Sequence, residues 1–216
     1  MKKLIILGAG GTAFDLIDIA HAMNKIAPTW EIIGYLDDNL NLQDKIIYGY
    51  PVLGIIPDSR NFPDAYFASS IGDAYRPRLR KLVREKVPFP NDRFASLIHP
   101  TAIISETAQV DPGAIIYGNV TISSMVKVGH DVFLCGNTFL GHECVIGDHS
   151  VLSVGNFLAS DVHIGDCCYL GVGVMIRHQI TVGQNCLIGM GTKVVKDVPS
   201  QTKLINKLDN IYTNLP

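Results

Sequence analysis

Charged residues are scarce in this sequence, and neither sign of charge predominates. Asp, Glu, Lys and Arg make up 18% of the chain against 47% hydrophobic residues, which favours a packed globular core over disorder. The formal net charge is −2, so the electrostatics indicate neither a nucleic acid nor an anionic membrane as a partner.

Long apolar runs and cysteine pairs are also lacking. No run reaches the ~18 residues that a membrane span needs, so we expect no membrane association. The apolar start at Leu4–Leu7 resembles a signal peptide, but glycines and acidic residues cut it short. Five cysteines without CxxC spacing indicate neither a disulfide framework nor a zinc site, and we expect no metal. These features predict a cytoplasmic protein with free thiols.

A repeat of six residues runs through the second half of the chain. Stepping by six from Ile98 to Val194 gives seventeen positions, each of which is Ile, Val or Leu. A period of six matches neither the 3.6-residue helix nor the heptad, and it is typical of a parallel β-helix whose strands stack about 4.8 Å apart. We expect the aliphatic residue to point inward. The glycine that often follows it, as at Gly129 and Gly141, is expected to support the corner conformation.

The first half of the chain has a β-α-β pattern instead. Strands are predicted at 3–7, 32–36 and 65–69, and helices at 12–24 and 78–86. This order predicts a small parallel sheet, followed by a linker at 89–94 that leads into the repeats.

The turn after the first strand, Gly8-Ala9-Gly10-Gly11, is a candidate phosphate site. Its backbone N–H groups would lie at a helix N-terminus, where phosphate is favoured. Asp37 or Asp38 could then accept hydrogen bonds from a ribose or a base. The alternative is a strand–helix turn without a ligand. The full GxGxxG spacing is missing, and fewer than 100 residues are too few for two mononucleotide halves, so NAD is not expected.

Five segments together carry a resemblance to a known family. They are Gly8-Ala9-Gly10-Gly11, Leu36-Asp37-Asp38, Ile71-Gly72, Ile98-His99-Pro100 and Gly141-His142-Glu143-Cys144. With the repeat, the chain resembles the hexapeptide-repeat sugar acetyltransferases, in the branch of the sialic acid O-acetyltransferases and the nucleotide-4-amino-sugar N-acetyltransferases. The resemblance implies an α/β Rossmann-like domain (1–94) and an all-β left-handed parallel β-helix (95–200), followed by a tail (201–216).

The resemblance also implies roles for individual residues. His142 would be the general base and Glu143 would orient its imidazole. The residues implied to bind acetyl-CoA, the co-substrate, are Ser160, His178, Gly189, Met190 and Gly191. Those implied to bind the nucleotide-sugar are Gly8, Gly10, Gly11, Thr12, Asp37, Asp38 and Gly72. The family implies a homotrimer and direct acyl transfer in a ternary complex.

An 18-residue coil of the kind found in this family makes a geometric prediction. Ser124, His142, Ser160 and His178 should stack in one column, with neighbours about 4.8 Å apart. Three functions stay open: N-acetylation of a nucleotide-linked amino deoxysugar, O-acetylation of a sialic-acid-like sugar or glycan, and a non-catalytic trimeric scaffold that binds a ligand.

Some positions depart from the family pattern or have a structural interpretation. Thr12, Cys135 and Val151 stand where family members often carry histidine, asparagine and histidine, which leaves the identity of the sugar open. We expect Cys135 to be more exposed than the other cysteines, because it lies on a corner. His149 falls in one column with Asp131 and is interpreted as part of a surface ladder.

Overall fold

A three-stranded parallel sheet forms the amino-terminal domain in the computed structural model, which describes residues 1–205. The strand order is β2-β1-β5, with both neighbours parallel to β1. The elements in chain order are β1 (Lys2–Leu7), α1 (Gly11–Ile26), β2 (Trp30–Leu36), β3 (Ile46–Ile47), β4 (Tyr50–Pro51), β5 (Tyr66–Ser69) and α2 (Leu79–Glu85), with short 3-10 helices at Leu40–Leu42, Ile56–Asn61 and Asn91–Arg93. The predicted strands and helices of this domain are therefore confirmed, with ends that differ by one or two residues.

A glycine makes the turn between β1 and α1 possible. Gly8 has a φ of +91°, and a Cβ there would come within 2.8 Å of both the Ile71 side chain and the Ser70 hydroxyl. The Ser70 hydroxyl itself donates to the carbonyl groups of Leu7 (3.0 Å) and Gly8 (3.1 Å). The glycine loop and the loop after β5 are thus bound to each other.

The repeats form a parallel β-solenoid with three faces of two-residue strands, as predicted. The face covered by the amino-terminal domain, called here the covered face, contains Leu97–Ile98, Ile115–Ile116, Phe133–Leu134, Val151–Leu152, Tyr169–Leu170, Leu187–Ile188 and Lys203–Leu204. The aromatic face contains Ile103–Ile104, Thr121–Ile122, Phe139–Leu140, Phe157–Leu158, Met175–Ile176 and Lys193–Val194. The polar face contains Gln109–Val110, Lys127–Val128, Val145–Ile146, His163–Ile164 and Thr181–Val182.

Successive strands on each face are 18 residues apart, so like positions stack. Phe139, for example, pairs with Thr121 on one side and Phe157 on the other. The second residue of each strand belongs to the six-residue series and points inward, as predicted. The first residue points outward, which is why it varies from face to face.

The glycines after the inward residues have a different role from the one expected. At Gly141 a Cβ would come 2.7 Å from the carbonyl carbon of Ala159 and 2.8 Å from the nitrogen of Ser160, so glycine permits close approach of the next coil. The left-handed conformation falls two residues later, where Glu143 has a φ of +63°. The prediction that these glycines support the corner dihedrals was therefore wrong.

The two domains share one hydrophobic core. The outward side chains of the covered face, among them Ile115, Phe133 and Val151, are buried against α1 and β1. The segment predicted as a linker contributes as well: Phe94 forms a β-bridge with Phe67, and the Ala95 N–H donates to the Phe67 carbonyl at 2.8 Å. The amino-terminal domain is thus packed against the solenoid.

The carboxyl-terminal end of the described chain still belongs to the solenoid. The strand Lys203–Leu204 pairs with Leu187–Ile188 and lies within the segment that the sequence assigned to the tail. The rest of that predicted tail, 206–216, lies outside the described residues. Neither helix within residues 1–205 has the length and apolar character that crossing a bilayer requires.

Candidate active site

The edge between the aromatic and polar faces, called here the His142 edge, contains the predicted column. The N–H of Glu143 donates to the carbonyl of Ser124 at 3.0 Å, that of Asp161 to His142 at 2.9 Å, and that of Gln179 to Ser160 at 3.1 Å. These bonds confirm that Ser124, His142, Ser160 and His178 stack coil upon coil.

His142 points outward from this edge and is oriented by its neighbour. Its side chain is 60% exposed, and its Nδ1 lies 2.9 Å from Oε2 of Glu143. A carboxylate at Nδ1 favours the tautomer with the proton on that nitrogen, which leaves the lone pair of Nε2 free to accept a proton. The pair therefore has the geometry of an oriented general base. The left-handed backbone of Glu143 positions its side chain beside that of His142.

The glycine loop lies over a cavity of about 450 Å³. Five of the seven predicted nucleotide-sugar residues line it, namely Gly8, Gly10, Thr12, Asp37 and, from the loop after β5, Gly72. Gly11 begins α1 beside the cavity without lining it.

Asp37 holds the glycine loop in place. Its Oδ2 accepts a hydrogen bond from the Ala9 N–H and its Oδ1 one from the Asn39 N–H, both at 2.8 Å. The carboxylate thus already has two backbone donors, although it still faces the cavity.

Asp38 lies in a neighbouring cavity of about 510 Å³. Its carboxylate accepts from the Ile56 N–H at 3.0 Å and pairs with Lys86 Nζ at 2.5 Å. Apolar side chains make up most of the wall. The two cavities meet at four residues: Asp37, Ile71, Arg76 and Leu79.

A third cavity of about 250 Å³ lies between the domains. Its lining residues are Thr12, Asp15, Ser70, Gly72, Tyr117, Phe133, Cys135, Val151, Ser153, Val154 and Tyr169. Thr12, Ser70 and Gly72 also line the glycine-loop cavity, so the two are continuous. The three positions that depart from the family pattern, Thr12, Cys135 and Val151, all line this interdomain cavity.

Cys135 is half-buried and is more exposed than the other four cysteines, as predicted. The amino-terminal domain half-buries it, and this burial, with the nearby Asp15 carboxylate, raises the pKa of the thiol to about 12. The thiol is therefore protonated at neutral pH. The corner keeps Cys135 partly accessible, although the amino-terminal domain covers part of it.

The predicted acetyl-CoA residues fall on two different edges. Ser160 and His178 belong to the His142 edge, whereas Gly189 and Met190 line a cavity of about 340 Å³ on the edge between the covered and aromatic faces. Gly191 follows on that same corner, called here the Gly189 edge, with a φ of +67°. One chain alone therefore does not bring the two groups together.

A buried arginine that sequence reasoning missed joins the domains. Arg80 on α2 is 1% exposed, and its Nη1 donates to the carbonyl groups of Ser69 and Ile71, each at 2.9 Å. Its Nε donates to the carbonyl of Asp131 on the solenoid. Burial lowers the pKa of Arg80 to about 10, and the Asp131 charge opposes that shift, so the guanidinium stays protonated at neutral pH. No local pattern marked Arg80, because an arginine in an amphipathic helix is usually exposed.

Asp131 belongs to a buried interdomain cluster and not to a surface ladder. It is 3% exposed, and its Oδ2 lies 3.3 Å from Arg84 Nε and 3.4 Å from His149 Nδ1. The interpretation of His149 and Asp131 as surface residues was wrong, since α2 covers this part of the solenoid.

Within residues 1–205, one group of side chains has metal-ligand chemistry. Asp111, His130 and Asp148 each offer an atom within 4.8 Å of the others. His130 Nδ1 lies 3.5 Å from an oxygen of each carboxylate, and the Asp148 carboxylate also accepts from the His130 N–H at 2.8 Å.

Both halves of the chain match described protein families. Residues 3–87 match the PglD N-terminal domain, and residues 161–196 match six repeats of the bacterial transferase hexapeptide. Each match covers less than half of the chain, and the two matched segments lie in the amino-terminal domain and in the later coils of the solenoid. These matches confirm the resemblance to the hexapeptide-repeat sugar acetyltransferases.

The chain is also similar to individual proteins, one of known sequence and function and two of solved structure. A Bacillus subtilis UDP-N-acetylbacillosamine N-acetyltransferase is 28% identical over 118 residues, which are 54% of this chain and 51% of that protein; the match thus spans about half the length of that relative. The acetyltransferase domain of PglB from Neisseria gonorrhoeae, solved with acetyl coenzyme A, is 24% identical at a TM-score of 0.82, covering 95% of this chain and 96% of its own. PerB from Caulobacter crescentus, solved with CoA and GDP-perosamine, is 25% identical at a TM-score of 0.80 and covers 95% of each chain.

Proposed function

We propose that this protein is an acetyl-CoA-dependent N-acetyltransferase that acts on the amino group of a nucleotide-linked deoxysugar. The observation that carries the proposal is the outward His142, oriented through Nδ1 by Glu143 and exposed at Nε2. The names of the curated relative and of the solved PerB complex support a nucleotide-sugar as the acceptor.

The chemistry is direct transfer. The sugar amine attacks the thioester carbonyl carbon while His142 Nε2 takes a proton from its nitrogen. A C–N bond forms, the C–S bond breaks, and the imidazolium returns its proton to the CoA thiolate. The backbone N–H of Ser160, one coil beyond His142, is the proposed donor to the oxyanion, and Glu143 stabilises the transient imidazolium.

The two cavities of the amino-terminal domain and the interdomain cavity, which share lining residues, suit the three parts of a nucleotide-sugar. We assign the base to the apolar cavity beside Asp38 and Lys86 and the diphosphate to the glycine-loop cavity, where the N-terminus of α1 favours anions. Arg76 lines the glycine-loop cavity as well, and its Nε pairs with Asp73 at 2.8 Å. The sugar then falls in the interdomain cavity. Gly8 and Gly10 let the backbone approach the phosphates, and Asp37 acts by holding the loop.

The site needs a second copy of the chain, and we propose the homotrimer. The His142 edge is the one opposite the covered face, so the nucleotide cavities and His142 of one chain do not meet. The aromatic face lies between the His142 edge and the Gly189 edge. If three aromatic faces turn toward a common axis, the His142 edge of one chain meets the Gly189 edge of the next, which unites both groups of proposed acetyl-CoA residues.

The exposed side chains support the same arrangement. Phe157 and Met175 on the aromatic face are 52% and 51% exposed in the single chain, and the Phe139 and Phe157 rings stack with centroids 4.7 Å apart. The outward side chains of the polar face include Lys127, His163 and Thr181. An apolar column of this kind favours contact between copies.

Phe157→Glu is expected to convert the trimer to monomers, because three carboxylates would enter an apolar interface without partners. Sedimentation velocity measures the outcome, and Thr181→Glu, a charge of the same sign on the polar face, should leave the trimer intact. A trimeric Phe157→Glu protein would contradict the proposed interface.

Thiol release tests the reaction itself. Free CoA is expected to appear only when acetyl-CoA and a nucleotide-linked amino sugar are both present, with UDP-, GDP- and dTDP-linked acceptors compared in turn. The product should keep its acetyl group in hydroxylamine, which cleaves esters but not amides. A hydroxylamine-labile product would contradict N-acetylation, and no release with any of the acceptors would contradict the enzymatic proposal.

A further inference from the structure

We propose that Asp15 selects the sugar: the interdomain cavity accepts a sugar that carries no carboxylate and that turns a hydroxyl or ammonium donor toward Asp15. The inference rests on the proposed function, because it takes the interdomain cavity as the sugar site. It goes beyond the proposed function because it states that the sugar must lack a negative charge. Sialic-acid-like acceptors carry a carboxylate, so the inference argues against them.

The charge of the interdomain cavity carries the argument. Among the lining residues, all within the described range 1–205, Asp15 is the one with a formal charge at neutral pH. Its polar neighbours are hydroxyl groups and the Cys135 thiol. Because burial and Asp15 raise the pKa of Cys135 to about 12, that thiol adds no second charge. The cavity is therefore negative, and it favours donors or cations over anions.

Tyr117 holds the Asp15 carboxylate at the cavity wall. Its hydroxyl donates to Asp15 Oδ2 at 3.1 Å across a separation of 102 residues, from the covered face to the first turns of α1. Burial raises the pKa of Tyr117, and the Asp15 carboxylate raises it further, so the phenol keeps the proton that it donates. Asp15 Oδ1 accepts no side-chain or backbone hydrogen bond from the described residues, and it remains available to a ligand.

The nearest buried cation does not reverse this charge. The Arg80 guanidinium lies 5.2 Å from the centre of the Phe133 ring, outside the lining of the cavity. Its Nε and Nη1 donate to backbone carbonyl groups, and its charge faces the Asp131 carboxylate. The Arg80 charge also lowers the pKa of Tyr117 and of Cys135, but at both groups its effect is smaller than the opposite effect of Asp15.

The other wall of the interdomain cavity suits a deoxysugar. Phe133, Val151 and Val154 provide apolar surface, whereas Thr12, Ser70 and Ser153 provide hydroxyl groups. A ring with one reduced carbon could place its methyl group against the valines and its polar substituents toward Asp15 and the hydroxyls.

Calorimetric binding with three ligands tests the proposal. They are a nucleoside diphosphate alone, the same diphosphate linked to an amino deoxysugar, and the same diphosphate linked to a uronic acid. Wild-type protein should bind the amino sugar more tightly than the uronic acid. Asp15→Asn should lower that ratio by roughly tenfold to a hundredfold, because a charge-assisted hydrogen bond is lost and a like-charge repulsion is removed.

Two controls separate the possible failures. Asp15→Asn should bind the free diphosphate as wild type does, and Asp18→Asn, an exposed carboxylate on the same helix outside the cavity, should leave the ratio unchanged. Normal diphosphate binding with an unchanged ratio in Asp15→Asn would overturn the role of Asp15 alone. Absence of diphosphate binding to the wild type would overturn the nucleotide site, and with it this inference.

Discussion

Replacing His142 with alanine is expected to lower kcat by about 10²-fold or more, because the attacking amine loses the group that accepts its proton. The KM for acetyl-CoA should change far less, since the imidazole is proposed to act on the proton and not to bind the pantetheine. Steady-state thiol release at saturating concentrations of both substrates measures the effect.

Three comparisons make the His142 result specific. The variant should remain folded and trimeric, because the side chain is 60% exposed and points away from the solenoid interior. His163→Ala removes an exposed histidine from the polar face and should keep the wild-type rate. Glu143→Gln keeps an oxygen acceptor for Nδ1–H but removes the charge, so an intermediate rate is expected. A His142→Ala enzyme within twofold of wild type would remove His142 from the role of base.

Replacing Arg80 with methionine is expected to lower the free energy of unfolding by about 3–5 kcal/mol. The substitution roughly conserves side-chain volume but leaves the carbonyl groups of Ser69, Ile71 and Asp131 without this donor, and two of the three hydrogen bonds lost are buried. It also removes a cation that faces the buried Asp131 carboxylate. Urea unfolding followed by circular dichroism measures the loss.

The position of Arg80 predicts where the damage would fall. Hydrogen exchange should increase first in the loop after β5 and at the solenoid corner around Asp131, because Arg80 joins these two segments. Arg78→Met is the matched control on the same segment, where the arginine is exposed, and should cost less than 1 kcal/mol. A similarly small cost for Arg80→Met would show that the buried arginine does not hold the domains together.

The solenoid was predictable because its period is a local property of the chain. Seventeen aliphatic residues at intervals of six leave one way to bury them all, which is to stack short strands in coils. Once the coil length is 18, the column through Ser124, His142, Ser160 and His178 follows. The strands at 3–7 and 65–69 were found for a similar reason, since a buried strand is a continuous apolar run.

The predictions that were wrong concern contacts between domains and between coils, which the spacing along the chain does not describe. Asp131 and His149 were assigned as surface residues because the repeat was treated as an isolated prism. The amino-terminal domain covers one of its faces and buries them. The glycines after the inward residues were given a conformational role, whereas Gly141 is needed for close contact with the coil above. The six-residue period of the sequence shows neither which face of the solenoid another domain covers nor how closely successive coils approach each other.

The sequence by itself determined the two-part architecture, the inward side chains and the edge on which His142 and Glu143 lie, since each depends on neighbours at fixed spacing along the chain. Only the tertiary structure decided which face of the solenoid is covered, and with it the interdomain cavity, the contact of Asp15 with Tyr117 and the burial of Arg80. Those features join residues up to about a hundred positions apart, and such contacts arise from the docking of two domains that no local pattern encodes.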